Sequence, residues 1–243
     1  MNLIIDIGNT SAKVAIFSKS KLLKKATVTH DDWLSQAQSY LSKHKRIKNA
    51  IVSTVGGAFN KEINALRKDV HVILLSASIK VPFQNKYRTP ATLGVDRMAL
   101  AAAACGNYSK KNVLVIDAGT CITYDLVTDQ NEYLGGGISP GIRLRYTSLN
   151  NLTANLPLLT KKNPSSIIGN STNTAIHSGV IYGVSFEIDG VIEHYKDDYE
   201  DLTVILTGGD AKFLAKRLKN SIFANSNFLL EGLNIILKHN IHE

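Results

Sequence analysis

The stretch Leu3-Ile4-Ile5-Asp6-Ile7-Gly8-Asn9-Thr10-Ser11-Ala12-Lys13-Val14-Ala15-Ile16-Phe17 is an apolar run ending in a carboxylate, then a flexible polar turn, then an alternating apolar run. Such a pattern predicts a β-hairpin with Asp6 to Lys13 around its bend. The same order of signals returns at Val113-Leu114-Val115-Ile116-Asp117-Ala118-Gly119-Thr120-Cys121-Ile122-Thr123-Tyr124-Asp125-Leu126-Val127. A second signal recurs behind each copy: Asn49 to Ser53 runs into Thr54-Val55-Gly56-Gly57, and Thr203 to Leu206 runs into Thr207-Gly208-Gly209-Asp210. A lone Asp-x-Gly turn carries little information, but two signals duplicated in the same order predict an internal repeat. The expectation is two similar β-rich domains, residues 1–109 and 110–243, each presenting an Asp-bearing turn to a shared cleft.

The turns are built for anion chemistry. Gly8 lets a backbone amide approach an anion with no Cβ in the way, while Asn9, Thr10 and Ser11 add short donors. Lys13 supplies a cation, and Asp6 can hold a metal hydrate. Together these are the parts needed to grip a triphosphate and its Mg²⁺. The chain contains no Gly-x-x-x-x-Gly-Lys-Ser/Thr loop, so phosphate binding falls to the paired hairpins. Gly208-Gly209 offers bare backbone for a base or ribose, and Asp210 reads as the cap of the helix that follows.

At 243 residues and 44% hydrophobic, the chain can bury one large core or two domains. Its longest apolar run, Met98 to Cys105, is far short of the roughly 18 residues a membrane span needs. Asp6 interrupts any signal-peptide core, so the cytoplasm is the expected compartment. Cys105 and Cys121 show no metal-ligand or disulfide spacing and read as small core residues. The net charge of +8 is scattered in pairs such as Lys24-Lys25 and Lys161-Lys162. With no nucleic-acid-binding signature beside it, a solvated basic surface suited to anionic metabolites is expected, with no nucleic acid partner.

Between the motifs, Trp33, Leu34, Ala37, Tyr40 and Leu41 predict a helix from about Asp31 to Lys43. Phe59 to Lys68 reads as a second helix and His71 to Leu75 as a strand, with Pro82 and Pro90 marking a loop. Asp96 and Arg97 precede an Ala-rich helix. On spacing alone they read as a surface pair, with Asp96 favoured by the helix dipole. A long helix from about Thr172 to Tyr195 carries Ile176, Val180, Val184 and Ile188 on one face, and Gly179 and Gly183 permit close helix approach. A last amphipathic helix, Leu229 to Lys238, is expected to close the second domain. His30, His44, His71, His177 and His194 lie outside the motifs.

Taken together, these residues resemble the actin, hexokinase and Hsp70 superfamily. The implied α/β fold is a pair of duplicated ribonuclease-H-like (actin-like ATPase) domains flanking a nucleotide cleft. Thr89-Pro90-Ala91-Thr92-Leu93-Gly94-Val95-Asp96-Arg97, Gly135-Gly136-Gly137-Ile138-Ser139-Pro140-Gly141 and Ser171-Thr172 narrow the resemblance to the type III pantothenate kinase family. It spans Asn2 to about Leu237, with Cys121 and Arg145 as small departures beside the motifs.

The resemblance implies ATP-dependent phosphorylation of pantothenate. It places Asp6, Ile7, Gly8, Asn9, Thr10, Ser11, Ala12 and Lys13 in the phosphate loop, with Asp6 organising Mg²⁺ through water. Thr120 is implied as an ATP contact and Asp117 as ligand to a monovalent cation, K⁺ or NH₄⁺. Tyr87, Gly94, Val95, Asp96, Arg97 and Thr172 are implied as the pantothenate site, and Asp96 as the proton acceptor. An ordinary Asp, with a pKa near about 4, is a poor base for a free alcohol, so that role is orientation with late proton acceptance. A homodimer with its active site near the subunit interface is implied as well. Two alternatives share the fold: a kinase of another small alcohol, and a regulatory protein of the Bvg accessory factor group.

Overall fold

The computed structural model describes residues 1–54 and 59–241. Val55, Gly56 and Gly57, the first of the two expected Gly-Gly strand ends, therefore lie outside the described residues. Contacts divide the chain into two units: Met1–Ser109 with Asn131–Tyr133 and Asn227–Glu243, and Lys110–Gln130 with Leu134–Ser226.

In the first unit, β1 (Asn2–Ile7) is buried along its whole length, and β2 (Ala12–Ser18) pairs with it antiparallel. β3 (Lys21–Val28) continues the meander and is largely exposed, with Lys21, Lys24 and Lys25 facing water. Lysines on such an edge strand oppose pairing with another chain. α1 (Trp33–Lys43) leads to β4 (Asn49–Thr54), and α2 (Asn60–Leu66) to β5 (His71–Leu74). Parallel pairing needs such crossovers, and β4 lies parallel to both β1 and β5. The sheet order is β3-β2-β1-β4-β5. Trp33 is fully buried, packed among residues that include Leu3, Ile5, Val14, Ile16 and Val52. β6 (Gln84–Asn85) and α3 (Val95–Asn107) follow.

The second unit repeats the plan. β7 (Val113–Ala118) pairs antiparallel with β8 (Cys121–Val127), and β9 (Glu132–Pro140) lies beside β8. The first two residues of β9, Glu132 and Tyr133, pair with β6. After α4 (Ile142–Asn151) and α5 (Thr172–Asp198), β10 (Thr203–Thr207) joins β7 in parallel. α6 (Ala211–Leu214) and β11 (Phe223–Ala224) complete the order β9-β8-β7-β10-β11. Apart from β6, which pairs with the start of β9, this is the order of the first sheet. The equivalence extends to the register: Asp6 stands between Lys13 and Ser53, and Asp117 between Thr123 and Thr207.

α7 (Phe228–Ile241) packs against α3 in the first unit, where the sequence pattern had assigned it to the second. A Cβ on Gly232 would stand 1.8 Å from the Ala99 carbonyl oxygen, so α7 and the Ala-rich α3 touch backbone to backbone. Asn234 fixes the register by accepting from Asn2 at 2.9 Å and donating to the Lys19 carbonyl at 2.8 Å. Ser171 caps α5 in a reciprocal box with Thr174. Outside the backbone of α5 itself, no described atom lies within 4 Å of where a Cβ on Gly179 or Gly183 would stand, so no described helix of this chain packs against either glycine.

Candidate active site

Asp6 is buried at the end of β1, opposite Lys13 in the strand register, and the Lys13 Nζ lies 3.4 Å from Asp6 Oδ2. Burial raises the Asp6 carboxyl above its ordinary value; the Lys13 ammonium and its contact pull it down, and the Asp96 carboxylate pushes it up again. Asp96 is therefore within electrostatic reach of Asp6. Two carboxylates in mutual repulsion, with one ammonium about one-third exposed beside the buried one, form a place where an additional cation lowers the energy. Within the turn, Gly8 N–H donates to the Ser11 carbonyl at 3.1 Å, closing the loop, while Asn9 and Thr10 are exposed. Ile7 and Ala12 point their side chains into the core, so what they offer a ligand is backbone.

Asp96 sits in the first turn of α3 and accepts the Arg97 backbone N–H at 2.8 Å. That bond satisfies one of the helix's free donors and folds the carboxylate back over Gly94. A Cβ on Gly94 would stand 2.5 Å from Asp96 Oδ1, so the placement needs glycine there. Asp96 is exposed, whereas Arg97 beside it is buried, its guanidinium 5.5 Å from the Tyr87 ring centroid. Tyr87 in turn packs on Tyr133 at 6.2 Å and donates its backbone N–H to Asn85 Oδ1 at 3.0 Å. The structure thus brings Tyr87, Gly94, Asp96 and Arg97 together in one unit. It adds fully buried Tyr133, held there by the β6–β9 pairing, for which the sequence gives no local signal.

In the second unit, Asp117 stands one residue before the end of β7, and its Oδ1 would stand 2.4 Å from a Cβ on Gly208. Gly208 has φ +95°, a conformation that favours glycine, so the carboxylate rests against bare backbone. Thr120 is exposed in the turn, and its carbonyl accepts from Gly141 at 3.0 Å. Asp210 stands at the cap position of α6 without making the cap bond; its Oδ1 accepts from Lys161 instead. Thr172 is exposed in the first turn of α5. Cys105 is buried as expected, but Cys121 is exposed, because it opens β8 at the rim of the turn.

Arg145 donates to Glu187, Ser139 and the Pro140 carbonyl. Burial works to raise the Glu187 carboxyl, but hydrogen bonds from Ser139, Arg145 and Tyr124 outweigh it and hold it below the ordinary value.

Among the described residues no three His, Cys, Asp or Glu side chains gather to hold a metal ion. Mg²⁺ is commonly held by one or two carboxylates together with substrate phosphates and water; the buried Asp6 carboxylate, with Lys13 beside it, fits such a hydrated cation, and the Asp117 carboxylate beside glycine backbone fits a weakly held monovalent one.

Solved structures give the class. The chain resembles a candidate Baf-family transcriptional activator from Campylobacter jejuni with TM-score 0.65 at 23% identity, over 99% of this chain and 100% of that one. It resembles the ROK hexokinase of Thermus thermophilus with TM-score 0.51 at 12% identity, over 100% and 99%. At these identities the likeness is one of fold, and the fold is the paired α/β domain of the actin-like ATPases. Sequence narrows the class further. The profile of type III pantothenate kinase matches residues 2–194, and the chain is 50% identical over 240 residues to the type III pantothenate kinase of Christiangramia forsetii, covering 99% of both. The chain belongs to the type III pantothenate kinase family and is an enzyme of that kind.

Proposed function

We propose that the chain transfers the terminal phosphoryl group of ATP to the terminal hydroxyl of pantothenate, giving 4′-phosphopantothenate and ADP, the first step towards coenzyme A. The observation that carries the reading is the electrostatic cluster of Asp6, Lys13 and Asp96 within one unit. A loose phosphoryl-transfer transition state asks the protein for positioning and charge more than for covalent chemistry, and this cluster supplies both. The Gly8–Ser11 turn presents short donors to the phosphates, and Lys13 balances charge on the transferring group. Asp6 would hold a hydrated Mg²⁺, which would supply neutralisation of phosphate charge.

Asp96 aims the attacking hydroxyl in line and accepts its proton as bonding to phosphorus develops. Its contact with the Arg97 amide holds it in that posture. Arg97, steadied by Tyr87, offers a planar cation to the pantothenate carboxylate. Val95 belongs to the same group as Asp96 and Arg97, and Thr172 is a further proposed pantothenate contact. In the second unit, Thr120 is the proposed ATP contact, and Asp117 would hold K⁺ or NH₄⁺, whose charge would offset that of the nucleotide phosphates.

The working form is a homodimer. Gly179, Gly183, half-exposed Phe186 and Gly190 share one stripe of α5, and no described atom lies within 4 Å of a Cβ at any of the three glycines. Beside Phe186 and Gly190 opens a groove of about 580 Å³ flanked by Ile138, which is 65% exposed. A bare helix backbone beside exposed apolar side chains suits a second copy of α5.

The test is ADP release from MgATP with and without pantothenate, in K⁺ and in Na⁺ buffer. Pantothenate-dependent release that needs K⁺ supports the reading; release indifferent to pantothenate in both buffers overturns it.

A further inference from the structure

The His30 Nε2 lies 2.8 Å from the carbonyl oxygen of Gly8, reaching from the segment between β3 and α1 to the turn of the first hairpin. A carbonyl oxygen only accepts, so Nε2 carries the proton and donates it. The bond tethers the turn to the imidazole. The ring is itself held in place. It packs on Phe59 with centroids 5.9 Å apart, and Phe59 meets the fully buried Trp33 edge to face at 6.3 Å. An aromatic chain therefore anchors the imidazole to the core of the first unit.

The consequence lies on the other side of the peptide plane. In a trans peptide the carbonyl of one residue and the N–H of the next point in opposite directions, and the described chain has no cis peptide. Fixing the Gly8 carbonyl towards His30 fixes the Asn9 N–H away from it. Glycine is the residue at which this control is most needed, because its freedom allows the peptide to turn over at little cost. Gly8 N–H is already held by the Ser11 carbonyl at 3.1 Å, so the imidazole restrains the part of the turn which that bond leaves free.

We infer that His30 is a positioning residue for the phosphate turn: it sets the direction in which the Asn9 amide is presented to an anion. This rests on the reading of the Asp6–Lys13 turn as the ATP phosphate site. The imidazole acts through Gly8 and takes no part in the transfer itself.

Four proteins test it: wild type, His30→Gln, His30→Phe and His30→Ala, each assayed for KM of MgATP, KM of pantothenate, and Kd of a non-hydrolysable MgATP analogue. His30→Phe keeps the aromatic packing and loses the donor; His30→Gln keeps a donor at similar reach. The expected result is a rise of about three- to tenfold in KM for ATP and in analogue Kd for the Phe and Ala variants. KM for pantothenate stays within about twofold, and Gln restores most of the loss. Wild-type ATP affinity in His30→Phe, or a Gln variant as impaired as Ala, overturns the inference by leaving His30 a packing role alone. Wild-type protein that binds the analogue but releases no ADP with pantothenate overturns the kinase reading instead, while the analogue Kd series still decides the role of His30.

Discussion

Lys13 stands directly across the first hairpin from Asp6, and its ammonium lies 3.4 Å from a carboxylate buried at the strand's end. The lysine is about one-third exposed and the aspartate nearly enclosed, so the pair is lopsided: water stabilises one partner and not the other. The energetic role of Lys13 is therefore to keep Asp6 ionised against burial and against Asp96.

Replacing Lys13 with Met removes a downward pull on the Asp6 pKa. The acid limb of the pH profile of kcat/KM for ATP then moves to higher pH, and activity at neutral pH falls by about tenfold to a hundredfold as phosphate charge goes unbalanced. A full pH profile of wild type and variant checks both.

Asp6→Asn separates function from stability. Because the folded Asp6 pKa is raised, the fold gains from its protonation below the unfolded carboxylate value, and that gain is lost as pH rises through the folded value. Burial therefore makes the ionised form of Asp6 costly to the fold. The variant should lose at least about a hundredfold in activity while its thermal midpoint at pH 7 stays level or rises by about 2–4 °C.

Gly208 and Gly209 give a matched pair. Alanine at 208 meets both a left-handed backbone and the Ala118 carbonyl oxygen at 2.4 Å, and should cost about 2 kcal/mol or more and displace Asp117. Alanine at 209 meets nothing within 4 Å and should leave the thermal midpoint unchanged. If the nucleotide lies against that backbone, KM for ATP rises by about tenfold in Gly209→Ala, and ATP shows little advantage over other nucleoside triphosphates. Melting curves and a nucleotide panel measure these effects.

Gly183→Arg places a long cation on the bare stripe of α5, where the isolated chain has room for it. The thermal fold should survive while light scattering after size-exclusion chromatography shifts from dimer to monomer.

The hairpins were legible because a two-residue alternation and an Asp-x-Gly turn are local properties, and the duplicated order of signals fixed which strands are equivalent. The placement of α7 was not, since an amphipathic pattern says that a helix covers something without saying what; Gly232 and Asn234 decide it through contacts far apart in sequence. The same reason hid Tyr133, brought to Tyr87 by a two-residue strand pairing, and His30, whose hydrogen bond spans 22 residues. Asp96 was readable only through resemblance: its carboxylate lies over Gly94, and an Asp near a helix start has an ordinary explanation of its own.

The most direct test of the account is the kinetics of Asp96→Asn, an isosteric change that keeps an acceptor for the Arg97 amide and removes the proton acceptor. The account predicts that kcat falls by about 10²- to 10⁴-fold while KM for ATP changes by less than about threefold. An Asp96→Asn enzyme that phosphorylates pantothenate at the wild-type kcat would contradict it.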